Sequence, residues 1–510
     1  MQQLARCTRV DRKSTQLAST SALAALLVVA SISCFFTAFY LAIALPEGQL
    51  ESVERVHLLP ILAPEDSLAS NRSSLGLYGL DTDKKYLAYL PHSGFHNQRI
   101  AFENGLVLAR MLNRTLIVPP VRLGVEPIPY SPFDELLEQL RFSDDKAGSV
   151  QCLGTPWYLT VRPECSDLDS PGYTHVAWNS IVDMSSIEVE QPLHYIDGFN
   201  YPWLLERSPD DTEIFVLKDN NTYDYRFIDY LPPSTGPALS RYNSSLQINT
   251  LSRSPEKLIQ LGTLFGSTRL HLKVPANKKL RKSIRERMVF SNPLLLRAAH
   301  EVTGLLGATY LGAHIRIGSG HFQHHGTYHA RVVWYKLLQR VLGFSLGAAR
   351  AMELDLDASS ATLPCPSVLL PDWPAVRTPH APLPPLVGSS RLPCRRPLHT
   401  SPELMKLNVP LFISTDSPEP DLDPALQLFF DSFPCTFFLS DFLRGRSDSN
   451  PVDELLEMGR SLMPFLEPFL DAMVVSRAWG VAGTDGSTFS RFVEDVLWRR
   501  YHGWEIVQRG

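Results

Sequence analysis

Apolar positions along this chain switch between two periods, and the switches mark its elements. From Leu87 to Leu90 the side chains are almost continuously apolar, and a polar loop, Pro-His-Ser-Gly-Phe-His-Asn-Gln98, follows. Helical spacing then runs through Leu106 to Leu112, and Thr115-Leu-Ile-Val118 is again unbroken. The order predicts strand, tight loop, amphipathic helix, strand. Gly94, Phe95 and Asn97 thus fall at the carboxyl end of a strand where a helix begins. Open α/β sheets bind ligands there, and a helix amino terminus attracts phosphate.

The later half repeats the theme. Leu311, Ala313, Ile315 and Ile317 alternate with Tyr310, Gly312, His314 and Arg316 in a strand predicted over 308–317. A period of two places His314 and Arg316 on one face, where two polar groups can act on one ligand. Val409 to Asp416 reads as a buried strand ending in a polar turn, and Ala478 to Gly483 as another strand. Beyond it, Phe489, Phe492, Val493, Val496 and Leu497 form one helical stripe, with Ser487 or Thr488 as its N-cap. Lys278 to Leu306 also has helical spacing. Two such junctions suggest a donor held between two half-domains, the arrangement of nucleotide-sugar transferases.

Two stretches break the pattern. Pro192 to Ser254 is rich in Tyr, Asn, Asp and Pro and shows no clear period. Eleven prolines fall between Pro364 and Pro402, so 347–402 is predicted to be an insertion.

Near the start, Ala22 to Leu45 carries no charged side chain over 24 positions, enough to span a hydrocarbon core of roughly 30 Å. Arg6, Arg9, Arg12 and Lys13 precede it, and Glu47 and Glu51 follow, so the body is expected on the lumenal side. The organisation predicted is a cytoplasmic tail (1–21), a transmembrane signal anchor (22–45) and a stem (46–83). An N-terminal Rossmann-like half (84–285) and a C-terminal half (286–510) carrying the insertion complete it. A Golgi or endoplasmic reticulum membrane is the expected location. A cleaved signal peptide is the competing reading, since Ala42-Ile-Ala44 has the look of a cleavage site.

Composition adds little. The 510 residues are 44% hydrophobic and 20% charged, as in a globular protein, and the net charge of −5 offers no basic face for nucleic acid. An oxidising lumen favours disulfides, and local spacing suggests Cys152–Cys165 and Cys365–Cys394, leaving Cys435 alone in a buried, strand-like run. Glycosylation sequons begin at Asn71, Asn113, Asn220 and Asn243, and Asn113 is placed to close the first helix. His321, His324, His325 and His329 fit no standard ligand spacing, so no metal site is assigned. Asp-x-Asp pairs recur too often, and too far from buried strands, to mark one.

In four places and in order, the chain resembles the GDP-fucose protein O-fucosyltransferase superfamily, over about Lys84 to Gly503. Ser-Gly-Phe-His-Asn-Gln98 is similar to its amino-terminal loop, and Tyr-Leu-Gly-Ala-His-Ile-Arg-Ile-Gly318 to its H-x-R strand. Phe-Ile-Ser-Thr-Asp416 and Gly-Thr-Asp-Gly-Ser-Thr-Phe-Ser-Arg491 resemble its last two motifs. The resemblance implies a GT-B-like α/β fold, two Rossmann-like halves facing a cleft. It implies inverting transfer of fucose from GDP-fucose to a protein or glycan hydroxyl, with no cofactor required. Carried over by position, Asn97 and Arg316 would be catalytic, Asn97 orienting sugar and acceptor and Arg316 holding the diphosphate. Gly94, Phe95, His314, Asp416, Ser487, Thr488 and Phe489 would bind the donor. More ordinary roles stand beside these: a salt-bridged surface arginine at Arg316, a turn residue at Asn97, helix caps at Asp416 and Ser487. Two departures are plain. His96 replaces a glycine, and Gly320 and His321 replace an acidic and an aromatic residue. They keep open a second reading, a catalytically inactive relative that binds nucleotide sugar or glycan.

Overall fold

A computed structural model describes residues 80–507 of the chain, apart from 82, 125–126, 146–172, 206–212, 232–240, 319, 358–392 and 444–462. All of these lie in one compact unit, Ser73–Gly510. The predicted tail, anchor and nearly all of the stem fall outside the described residues, as do Cys152, Cys165 and Cys365. Among the described residues no helix is long and apolar enough to cross a membrane.

Two parallel sheets organise the unit. The first is built from β1 (Tyr86–Ala88), β2 (Thr115–Val118), β3 (Leu193–Tyr195), β4 (Ile214–Leu217) and β5 (Leu258–Leu261), in the order β3-β2-β1-β5-β4. Every pairing is parallel, with Tyr86 opposite Thr115 on one side and Leu258 on the other. The second contains β6 (Leu311–Ile315), β7 (Leu411–Thr415), β8 (Thr436–Phe437) and β9 (Gly480–Gly483), ordered β8-β7-β6-β9 and again all parallel. β1, β2, β5 and β6 are buried at every position; β1 and β2 accordingly read as apolar runs, whereas in β6 Gly312 and His314 alternate with the apolar residues. Strand order reverses at β1 in the first sheet and at β6 in the second. These are the switch points where loops diverge and a crevice opens.

Helix α1 (Phe95–Leu112) follows β1 and ends at Asn113, which takes the left-handed conformation (φ 52°). The helical spacing of 278–306 resolves into two helices rather than one. α2 (Pro275–Arg287) stops at Met288, and α3 (Pro293–Leu306) restarts behind Pro293. Asn292 Oδ1 caps α3, accepting from the N–H groups of Leu294 and Leu295 at 3.1 Å each. The predicted insertion opens with a further helix, α4 (Leu346–Asp357), because its prolines begin only at Pro364. Helix α5 (Met463–Ser476) packs on α3, and α6 (Thr488–Arg491) continues into a wider helical turn over Phe492–Trp498.

The cystine differs from expectation. Cys394 pairs with Cys435, not with Cys365. The chain returning from 392 lies along the entry to β8, where Arg396 N–H donates to the Pro434 carbonyl and Arg395 Nε to that of Thr436. Proximity across 41 residues of sequence is created by the sheet, and local spacing carries no trace of it.

Candidate functional site

Loops leaving the carboxyl ends of β1, β6 and β7, with the start of α6 and one face of α5, enclose a cleft of about 460 Å³. That is a size at which small-molecule sites are common. The earlier half of the chain supplies Gly94, Phe95, His96 and Arg122. The later half supplies His314, Arg316, Asp416, Glu467, Asp471, Thr488 and Phe489.

The later wall is densely bonded. Asp416 Oδ1 accepts from the N–H groups of Ile317 and Gly318, both at 2.7 Å, while its Oδ2 stands 3.8 Å from Arg316 Nε. Arg316 N–H donates to Thr484 Oγ1 at 3.0 Å, so β6 and the turn after β9 hold each other. One carboxylate therefore clamps the loop carrying the guanidinium and also balances its charge. Gly318 is required by space: a Cβ there would lie 2.0 Å from the Asp416 carbonyl oxygen. The resemblance assigns Asp416 to the nucleoside, whereas one of its oxygens is already engaged by backbone.

His314 is buried beside these groups. Its Nδ1 lies 2.7 Å from Ser490 Oγ and its ring 5.2 Å from that of Phe489. Burial pushes its pKa down to about 4, with the Arg316 charge acting in the same direction and the Asp416 carboxylate opposing. Ser487 caps α6 as expected, its Oγ accepting from Ser490 N–H at 3.2 Å.

The earlier wall is held at its ends. His92 Nε2 lies 2.6 Å from Thr263 Oγ1, and His92 Nδ1 lies 2.7 Å from Ser93 Oγ. Gln98 brackets Arg122, donating to its carbonyl at 2.8 Å and accepting from its N–H at 3.0 Å. Between these anchors Gly94 borders the cleft, and a Cβ there would meet nothing within 4 Å. Phe95 has a second duty. Its ring packs 4.6 Å from Phe469, 5.2 Å from Phe492 and 5.8 Å from both Trp178 and Phe290, an aromatic cluster drawn from both halves.

Seven of the nine residues singled out from the sequence line the cleft together: Gly94, Phe95, His314, Arg316, Asp416, Thr488 and Phe489. Asn97 and Ser487 do not, although each is within two residues of one that does. Asn97 is half-buried, its N–H donates to the Gly94 carbonyl, and its side-chain Oδ1 is buried without a hydrogen-bond partner among the described residues. Ser487 lies behind the helix start, 1% exposed.

Three cleft groups escaped sequence reasoning. Arg122 lies over the Tyr173 ring at 4.1 Å, with its Nε donating to Ser143 Oγ at 3.0 Å. Glu467 and Asp471, spaced by four on the otherwise apolar α5, face the same space. Asp471 Oδ1 is buried with no partner among the described residues, and burial holds the pKa of this carboxyl well above the carboxylate range. Burial is the main cause, the Glu467 carboxylate adds to it, and a hydrogen bond with Ser414 opposes both. Two acids at helical spacing within an apolar run were the signal available.

No protein-family model matches the chain. O-fucosyltransferase 23 of Arabidopsis thaliana is 30% identical over 205 residues, covering 39% of this chain and 43% of that protein. O-fucosyltransferase 30 of the same plant is 58% identical over 38 residues, 8% of each. The chain thus spans less than half the length of either curated relative. Among solved structures, POFUT1 in complex with GDP-fucose aligns at a TM-score of 0.35 and 10% identity, covering 83% of this chain and 96% of that one. POFUT1 with GDP gives the same TM-score and identity, covering 83% and 97%. Weak sequence similarity to the two plant proteins supports an O-fucosyltransferase-like family for this chain.

Proposed function

We propose that the chain is an inverting glycosyltransferase of GT-B-like build, moving fucose from GDP-fucose to a hydroxyl of a protein or glycan. The observation that carries this reading is the meeting of Arg316, His314 and Asp416 with the Gly94–Phe95 loop around one cleft at the carboxyl ends of two parallel sheets. Sugar transfer builds positive charge at the anomeric carbon and negative charge on the departing diphosphate. A guanidinium forks onto two phosphate oxygens and stays charged at every working pH. Asp416 holds the Arg316 loop in place beforehand, so little reorganisation accompanies the reaction. Neutral His314 and the Phe489 ring would border the nucleoside, and Asp471 offers a carboxyl to donors on a base edge. A lumenal location behind the anchor at 22–45 belongs to the same proposal.

Steady-state release of GDP from GDP-fucose, with water or a glycoprotein extract as acceptor, tests it. Turnover is expected in the wild type and its loss in Arg316→Ala. Retained turnover in that variant would overturn the site assignment. His96, buried where the resembling loop has glycine, favours the second reading, an inactive binding relative. Thermal stabilisation by GDP without any hydrolysis would establish that reading instead.

A further inference from the structure

The sequons at Asn113, Asn220 and Asn243 fall within the described residues, and the proposed function uses none of them. All three asparagines are exposed. Asn113 follows α1 in the left-handed conformation, with its backbone N–H turned back to the carbonyls of Ala109 and Arg110. Asn220 lies three residues beyond β4, and its backbone N–H donates to Asp224 Oδ2 at 3.0 Å. Asn243 precedes the strand Ser244–Gln247, and its Nδ2 donates to Asp224 Oδ1 at 3.2 Å. An amide nitrogen carries two hydrogens, so that bond leaves one for substitution.

The hydroxyl residues of these sequons are placed differently. Thr115 is 6% exposed within β2, and Ser245 Oγ accepts from Arg226 Nε at 3.0 Å. An amide at the surface with its hydroxyl partner built into a strand fits a group attached before the strands close. Exposure alone is usual for asparagine. The Cys394–Cys435 cystine is the second, independent observation, because such bonds persist in the oxidising compartments through which glycosylated chains pass.

We propose that the chain is N-glycosylated at Asn113, Asn220 and Asn243. In each transfer Nδ2 bonds to the anomeric carbon of an oligosaccharide carried on a lipid pyrophosphate, the donor of the cell's own glycosylation enzyme. The carbon–oxygen bond to the pyrophosphate breaks, its electron pair leaves on that oxygen, and one amide hydrogen departs as a proton to solvent. Such glycans leave the cleft open. At 1.5 Å per residue, α1 sets Asn113 about 27 Å from the cleft-lining Phe95. No described residue between Pro127 and His314 lines the cleft, so Asn220 and Asn243 also stand outside it. The inference shares only the lumenal placement with the transferase reading.

The test is the full chain made in a eukaryotic secretory host and treated with peptide-N-glycosidase, which frees each glycan and leaves aspartate where its asparagine stood. Faster migration in gel electrophoresis is expected, with conversion of Asn113, Asn220 and Asn243 seen by peptide mass mapping. Asn113→Gly, Asn220→Gln and Asn243→Gln should each remove one step of the shift. Glycine is chosen at 113 because it keeps the left-handed helix end. An unshifted wild type would overturn the proposal, as would a shift abolished by Asn71→Gln alone. Missing conversion at any of the three asparagines overturns that site, and the mapping needs no variant to fold. An unmodified chain that still releases GDP from GDP-fucose would strike the glycans and leave the transferase reading standing. Glycans on a chain without GDP release would uphold this proposal and remove that reading.

Discussion

The two walls of the cleft differ in how their polar groups are spent. Around Arg316, the loop after β6 is tied by Asp416, Thr484 and the His314–Ser490 pair. Around Asn97, the first turn of α1 keeps both nitrogens of His96 and the Oδ1 of Asn97 buried and, among the described residues, unpartnered. A loop tied in this way suits a ligand part whose shape never changes, such as a diphosphate. A wall with unmet hydrogen-bonding capacity suits groups that arrive, react and leave. The contrast separates preorganisation from reserve, and it can be broken or sharpened experimentally.

The largest effect should come from the tied loop around Arg316. Arg316→Ala is expected to lower kcat/KM for GDP-fucose by about 10³, a loss of roughly 4 kcal/mol of transition-state stabilisation. The melting temperature should change little, because the guanidinium is a third exposed. Steady-state kinetics beside a thermal melt reads both.

Next is acid sensitivity. The His314 pKa is depressed in the fold to about 4 and that of His92 to about 3, both mainly by burial. Since the unfolded chain binds these protons near 6.5, the stability tied to them is fully present above that pH. It is lost as pH falls from there toward the folded values, by on the order of 3 kcal/mol per histidine. Urea unfolding at pH 7 and pH 4.5 should show the drop, and His314→Gln should lessen it. An equal drop in that variant would mean that other groups dominate.

Steric tests are smaller. Gly318→Ala forces a methyl against the Asp416 carbonyl and should cost about 1–3 kcal/mol, with turnover falling as the clamp on Arg316 loosens. Gly94→Ala, where a Cβ meets nothing, should leave stability within about 0.5 kcal/mol. Equal destabilisation by the two would erase the difference between the walls. Least disruptive to the fold is Asn97→Ala. With its Oδ1 unpartnered, removal should cost no more than about 0.5 kcal/mol, yet lower GDP-fucose turnover at least tenfold. A stable variant with undiminished turnover would place Asn97 outside the reaction.

Much of this arrangement is legible in the residues themselves. Unbroken apolar runs mark β1, β2 and β7, and alternation running through β6 into the residue after it puts His314 and Arg316 on one face. Asn113 ends α1 and Ser487 caps α6, because both features are written in local chemistry. The strands of 193–217 were not legible: β3 and β4 are only three and four residues long and mostly half-buried, so tertiary pairing rather than pattern defines them. Arg122 and Asp471 were missed for a related reason, since neither lies in a motif.

Alone, the amino-acid order determined β1, β2, β6 and β7, the helix between β1 and β2, and which polar residues stand at their turns. Those properties depend on neighbours within about one helical turn or one strand. Only the tertiary structure decided that Cys435 meets Cys394, that His96 rather than Asn97 lines the cleft, and that a carboxyl from α5 joins it. Each of those pairings spans tens to hundreds of residues. Distances of that kind are set by how two sheets pack together, and a local pattern holds no record of them.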